Sequence, residues 1–158
     1  MRLKVLGSSS SGNCYVLEND QEALIIECGI KFIEVKKALS FNLRKVVGAL
    51  LTHSHGDHAA YVRDFLESGI TVYACPKTIE TTGITSHRWS PMVEKNVRYF
   101  VGSWQVIPVP VKHDVPCLGF LLRHDECGTV CFITDTYYLP YTFPGMNNII
   151  VEANYAED

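Results

Sequence analysis

Nowhere among the 158 residues do about 18 apolar side chains follow one another, so a membrane-spanning helix is excluded by length. The opening MRLKVLGSSSSGN has no apolar stretch long enough for a secretory leader, and the chain is therefore expected to be cytoplasmic. Long runs of one charge are also missing. A net charge of −3 gives no basic footprint able to neutralise many phosphates at once, so any nucleic-acid contact has to be local. The six cysteines (Cys14, Cys28, Cys75, Cys117, Cys127, Cys131) include no C-x-x-C pair, which removes the zinc-knot pattern, and several sit in strand-like runs as small buried thiols. Internal repeats and low-complexity tracts are absent apart from four consecutive serines. A hydrophobic content of 47% supports a real core, and residues 1–158 are expected to form one globular domain.

The patterns that are present alternate between strand and helix. Met1 to Leu6 reads as a strand that breaks into the small polar loop Gly7-Ser8-Ser9-Ser10-Ser11-Gly12-Asn13. Cys14 to Glu18 and Ala23 to Ile26 form a hairpin about Asn19-Asp20. Phe32, Val35 and Leu39 fall at helical spacing, predicting a helix from Lys31 to about Leu39. Val46 to Leu51 is a buried strand. Ala59, Val62, Phe65 and Leu66 lie on one helical stripe that Gly69 stops, and Ile70 to Ala74 is the next strand. Residues 77–98 read as a short helix and a mobile loop. Strands follow over Gln105–Val111, Gly119–Leu122, Thr129–Ile133 and Asn148–Val151, with a turn at Asp125-Glu126-Cys127-Gly128.

The strongest chemical signal is Thr52-His53-Ser54-His55-Gly56-Asp57-His58. Three of the chain's six histidines fall in this one turn, a density that a solvated polar loop explains poorly. It lies at the carboxyl end of a buried strand, where α/β folds place their sites. Alternation in extended chain lets His53 and His55 face one way and hold one ion, while Asp57 and His58, at the turn into a helix, point elsewhere and suit a second. Imidazole favours zinc, iron or nickel, and the carboxylate also admits manganese, so one or two divalent ions are expected, zinc foremost. His113 and Asp135 each end a strand. Alone they read as a surface histidine and a turn cap; beside the cluster they become candidate ligands. The serine loop, through Ser10, Ser11 and Asn13, is a candidate anion contact, although it lacks the lysine and spacing of a nucleotide-binding loop. His124 reads as solvated, and His87 lies in a loop able to cover the metals.

The run Thr52-His53-Ser54-His55-Gly56-Asp57-His58, followed by His113 and Asp135, resembles the metallo-β-lactamase superfamily. The loop Gly7–Asn13, the turn Glu27-Cys28-Gly29, His113-Asp114 with Gly119-Phe120, and Glu152-Ala153-Asn154 resemble its small stand-alone branch of YycJ/WalJ-type exonucleases. This resemblance implies a four-layer αββα sandwich of the α+β class. It places His53, His55 and His113 on one ion, Asp57 and His58 on the other, and Asp135 between them. Glu27 stands where the family usually has aspartate and retains reach for a supporting hydrogen bond. Family members continue through a further strand and helix that supply a last histidine, so the chain looks shortened at its C-terminus and its second ion is expected to lack one donor.

Water activated by a divalent ion implies hydrolysis, with Asp57 as the proton acceptor. Phosphodiester cleavage in DNA or RNA, or in a small phosphodiester, is the reading the resemblance favours. Thioester or other small-ester hydrolysis is the alternative within enzymes. A non-catalytic metal- or nucleic-acid-binding relic is the alternative outside them. A secreted β-lactamase is disfavoured by Asp135, which stands where those enzymes use cysteine.

Overall fold

A computed structural model describes residues 1–93 and 97–152. Two sheets face each other. The first has the order β1 (Arg2–Gly7), β2 (Cys14–Glu18), β3 (Ala23–Ile26), β4 (Val46–Leu50), β5 (Val72–Ala74) and β6 (Trp89–Pro91); it is antiparallel as far as β3 and parallel from β3 onward. The second runs β11 (Asn148–Val151), β10 (Gly128–Ile133), β9 (Cys117–His124), β8 (Trp104–Val111) and β7 (Tyr99–Val101), antiparallel except for β10 and β11.

Burial on two sides explains why β2 as far as Leu17, and all of β3, read as unbroken apolar runs. Their side chains are buried on both faces, as is usual for strands covered on two sides. Tyr15, Leu17, Leu24, Ile26 and Leu50 point between the sheets and meet Trp104, Val106, Leu118, Phe120, Leu122 and Phe132. Cys14, Val16, Ala23, Ile25 and Ala49 point the other way, onto α1 (Phe32–Ala38) and α3 (Val62–Glu67), through Phe32, Val35, Phe65 and Leu66. Each such large side chain contributes roughly 1.5–3 kcal/mol by leaving water. Among the described residues the outer face of the second sheet carries no helix, so three of the four expected layers are filled. The irregular crossover from β10 to β11 returns there, with Thr129 Oγ1 donating to the Gly145 carbonyl at 3.1 Å. No described helix is long and apolar enough to cross a membrane, and all six cysteines are free thiols.

Several local expectations need correction. The stripe from Ala59 to Leu66 is two helices, α2 (Gly56–Ala59) and α3, because Cys28 interrupts it. The Cys28 carbonyl takes the Tyr61 N–H at 3.0 Å, and its own N–H goes to the His58 carbonyl at 2.8 Å. The segment 77–98 contains α4 (Pro76–Thr82) and then the edge strand β6, with residues 94–96 outside the described set. Strand β7 also escapes the sequence reading; it is hairpinned to β8 through Gly102, whose φ of 59° suits the two-residue turn. His124 is not solvated. It is 6% exposed, its Nε2 lies 3.1 Å from Glu22 Oε1, and its ring stacks 4.8 Å from Trp104.

Glu18 ties the first sheet together. It is buried, with Lys4 Nζ at 2.6 Å and Lys45 Nζ at 2.8 Å. Burial alone would raise its pKa, but the two ammonium groups outweigh it and hold the carboxyl below its usual range. A carboxyl depressed in this way stabilises the fold above its unfolded pKa of about 4.3, and that contribution is lost as pH falls through the lower folded value. Glu18→Gln is therefore expected to cost about 2 kcal/mol at neutral pH and nearly nothing in strong acid. Urea unfolding at both pH values checks this; an equal loss at the two would deny the carboxylate its role.

Candidate metal centre

All the ligand-bearing turns collect at one end of the sandwich. Strand β4 runs past Leu51 into Thr52 and His53, β8 runs into His113, and β10 runs into Asp135. The Leu118 N–H donates to the Thr52 carbonyl at 3.0 Å, linking the start of β9 to the histidine turn across the two sheets. The serine loop joins through Asn13, whose N–H donates to the Asp57 carbonyl at 2.7 Å. Gly29 is required beneath it, since a Cβ there would lie 1.7 Å from that carbonyl oxygen. Glu27 and Asp135 both have left-handed backbones, with φ of 71° and 46°. Such conformations cost of order 1–3 kcal/mol each and persist where the surroundings demand them.

Two overlapping donor groups result: His53 with His55 and His113, and His53 with His58 and Asp135, each set within 4.8 Å of one another. In the first, His113 Nε2 is 3.3 Å from His55 Nδ1, and the His53 ring centroid is 4.7 Å from that of His55 and 4.8 Å from that of His113. In the second, Asp135 Oδ2 is 2.8 Å from His58 Nε2 and 3.4 Å from His53 Nε2, which puts one carboxylate oxygen between the two inner histidines. Asp57 Oδ2 stands 3.3 Å from His58 Nε2.

The donors are backed by Glu27, which is fully buried. Thr52 Oγ1 donates to Glu27 Oε1 at 2.5 Å and lies 2.8 Å from His53 Nδ1. A hydroxyl has one proton to give, and a carboxylate only accepts, so the same oxygen must accept from His53. Nδ1 therefore carries the imidazole proton, and Nε2 presents its lone pair to the interior. The His53 Nε2 atom is buried without a hydrogen-bond partner, as are His113 Nδ1 and Asn13 Oδ1. Orphaned buried nitrogens beside a carboxylate are the chemistry of a divalent-ion site, and the residues present fit one.

Electrostatics separate the two inner histidines. Burial, with the neighbouring imidazoles His58, His113 and His55, pushes the His53 pKa down to about 2. Burial would lower His58 as well, but the Glu27 carboxylate 3.3 Å from its Nδ1, with Asp57 and Asp135, raises it to about 9. Glu27 is itself raised, burial outweighing its contacts with His58 and Thr52.

The structure thus brings together His53, His55, Asp57, His58, His113 and Asp135, with Glu27 behind them and Asn13 alongside. The Asn13 amide nitrogen is 3.1 Å from His58 Nε2 and 3.4 Å from Asp57 Oδ2. Ser10 and Ser11 are exposed; the Ser11 hydroxyl pairs with Ser9 at 2.7 Å, and the loop reaches the centre only through Asn13. His87 sits elsewhere. It precedes β6, whose Trp89 pairs in parallel with Val72, so it lies at the starting ends of the strands, away from the ligands at their finishing ends. Glu152 lines the cleft with His113 and Asp135, and Ala153 and Asn154 lie outside the described residues. Sequence reasoning missed two neighbours. Asp114 is 3.0 Å from His113 Nε2 and 3.4 Å from His55 Nε2, and Cys117 Sγ is 3.6 Å from His53 Nδ1. The sequence marked the former only within the His113-Asp114 pair of the family resemblance, with no role of its own.

A paired β-sandwich with histidines and carboxylates gathered at one end of the strands defines a metallohydrolase-type scaffold. Residues 9–136 match the model of the metallo-beta-lactamase superfamily, and the chain belongs to that superfamily, whose members are generally metal-dependent hydrolases. It is 27% identical over 168 aligned residues to the exodeoxyribonuclease YycJ of Bacillus anthracis, covering 98% of this chain and 63% of that protein. It is 23% identical to the exodeoxyribonuclease WalJ of Streptococcus pneumoniae, covering 98% and 62%. The chain thus spans less than two thirds of the curated relatives it matches. Among solved structures, the metallo-beta-lactamase fold protein YhfI of Bacillus subtilis superposes with a TM-score of 0.63 at 17% identity, over 82% of this chain and 59% of that one.

Proposed function

We propose that the chain is a divalent-metal-dependent phosphodiesterase acting on DNA, in the manner of an exonuclease in a cytoplasmic setting. The observation that carries this reading is the pair of donor groups sharing His53, with Asp135 Oδ2 between His58 and His53. The names of relatives matched along 98% of the chain favour DNA over other esters.

His53, His55 and His113 would hold one ion, and His58, Asp57 and Asp135 the other, with zinc or manganese suited to the mixed imidazole and carboxylate donors. Bound there, divalent ions supply Lewis acidity that activates water and offsets charge on a phosphodiester. The side chains supply the rest. Asp57 accepts the proton of the attacking water at Oδ, and the Asn13 amide, donating to Asp57 Oδ2, keeps that carboxylate turned inward. Glu27 and Thr52 fix the His53 ring with its proton on Nδ1. Asp114 restrains His55 and His113 at the rim. The cleft over His113 and Asp135, about 360 Å³, admits a nucleotide end from solvent.

The test is stripped protein reloaded with zinc or manganese, offered end-labelled single- and double-stranded DNA and, in parallel, p-nitrophenyl and acyl-thioester substrates. Stepwise shortening of DNA that chelator abolishes is expected. Ester or thioester turnover with intact DNA would overturn the nuclease reading in favour of a small-ester hydrolase.

A further inference from the structure

Immediately beyond Asp135 the chain exposes two aromatic rings that the fold does not use. Tyr137 is 75% and Tyr138 61% accessible, in a protein that buries most of its other large apolar side chains. They are not loose. The Tyr137 N–H donates to the Lys112 carbonyl at 2.9 Å, and Thr136 Oγ1 donates to the same carbonyl at 3.2 Å. Lys112 and Tyr138 form an isolated antiparallel bridge. The two tyrosines are therefore fastened to the end of β8, one residue before His113. The Tyr137 ring lies 5.7 Å from the His113 ring and lines the same cleft as His113 and Asp135. Lys112 Nζ stands 5.7 Å from the centre of the Tyr138 ring.

We propose that Tyr137 and Tyr138 form a stacking step that receives the unpaired bases of a single-stranded DNA end while its phosphodiester enters the metal centre, an inference that rests on the nuclease reading above. Three features point to this ligand. Solvent-facing aromatic rings on a hydrogen-bonded backbone have a π-face to offer, which every nucleobase matches and a plain acyl chain does not. The 5.7 Å between the Tyr137 and His113 rings places a base stacked on Tyr137 directly beside the metal-ligand candidates. Charge cannot be the main source of affinity in a chain of net charge −3, whereas stacking with one ammonium, Lys112, beside it requires no basic groove. Duplex DNA hides its base faces, so the step selects frayed or single-stranded ends.

The test has two arms. In chelator, binding of a single-stranded oligonucleotide with a terminal 2-aminopurine is followed by anisotropy and by quenching of the base. The parent is expected to bind and quench, with a shallow salt dependence. Tyr137→Ala with Tyr138→Ala should weaken binding about tenfold or more, and Tyr137→Trp should retain it. Both tyrosines are exposed, and circular dichroism on the variants confirms folding. In the second arm, metal-loaded parent is given DNA ending in a normal or an abasic nucleotide; the normal end should have the lower KM, and the double alanine variant should lose that preference. Equal binding by parent and double variant, no binding by the parent, or equal handling of normal and abasic ends would overturn the step. Failure of the metal-loaded parent to cut any DNA, with base-dependent binding and quenching intact, would overturn the nuclease reading and leave the step in place as a binding site.

Discussion

Asp57→Asn is expected to lower turnover of a phosphodiester by about 10²–10⁴-fold, the usual worth of a positioned general base, while the first equivalent of metal binds as in the parent. The substitution keeps the volume and one oxygen, so the Asn13 amide still finds an acceptor where it now meets Asp57 Oδ2 at 3.4 Å. What disappears is basicity. Asp57 is suited to proton transfer because its side chain stays 29% exposed beside the centre, whereas His53 and His58 are buried. A group with access to both solvent and the centre can pass a proton outward after accepting one. It is not a member of either tight donor group with His53, so its loss should register in kcat before it registers in metal content. Steady-state kinetics alongside metal analysis of the same samples separates the two. Turnover close to that of the parent would reduce Asp57 to a structural ligand.

The centre was legible in the sequence because its densest part is local. Four donors between His53 and His58 need no knowledge of the fold, and His113 and Asp135 follow from recognising where strands stop. The parts that escaped depend on contacts between distant segments. His124 looked solvated beside Asp125 and Glu126, yet its partner Glu22 is 102 residues away and is brought to it only by stacking the two sheets. The helix expected through Ala59 and Leu66 has an unbroken apolar stripe, and nothing local announces that the Cys28 carbonyl will take the Tyr61 N–H. Strands β6 and β7 are three residues each, too short to display a period. The serine loop shows how composition names a segment before the fold selects a residue from it. Its composition suggested anion contact through Ser10, Ser11 and Asn13, and of these the residue the backbone delivers to the centre is Asn13, because Gly29 lets it close on the Asp57 carbonyl.

The arrangement also fixes which histidine matters most. His53 belongs to both donor groups, is fully buried, and is held in one tautomer by Thr52 and Glu27. His55 belongs to one group and stands 36% exposed at the rim. Metal affinity should therefore fall unequally across single variants, with His53→Ala losing the ion it would share with His55 and His113 and weakening the second, and His55→Ala only weakening the first. Thr52→Val, which keeps the shape but removes the acceptor for His53 Nδ1, should cost about 10–100-fold in affinity, as loss of a supporting hydrogen bond does elsewhere. His53→Ala with His113→Ala should go further and leave protein that purifies folded but without stoichiometric metal. Metal analysis after dialysis, with circular dichroism to confirm the fold, reads the outcome directly. Metal content unchanged in the double variant would mean that the ions sit elsewhere and that the buried, unpartnered Nε2 of His53 serves some other purpose.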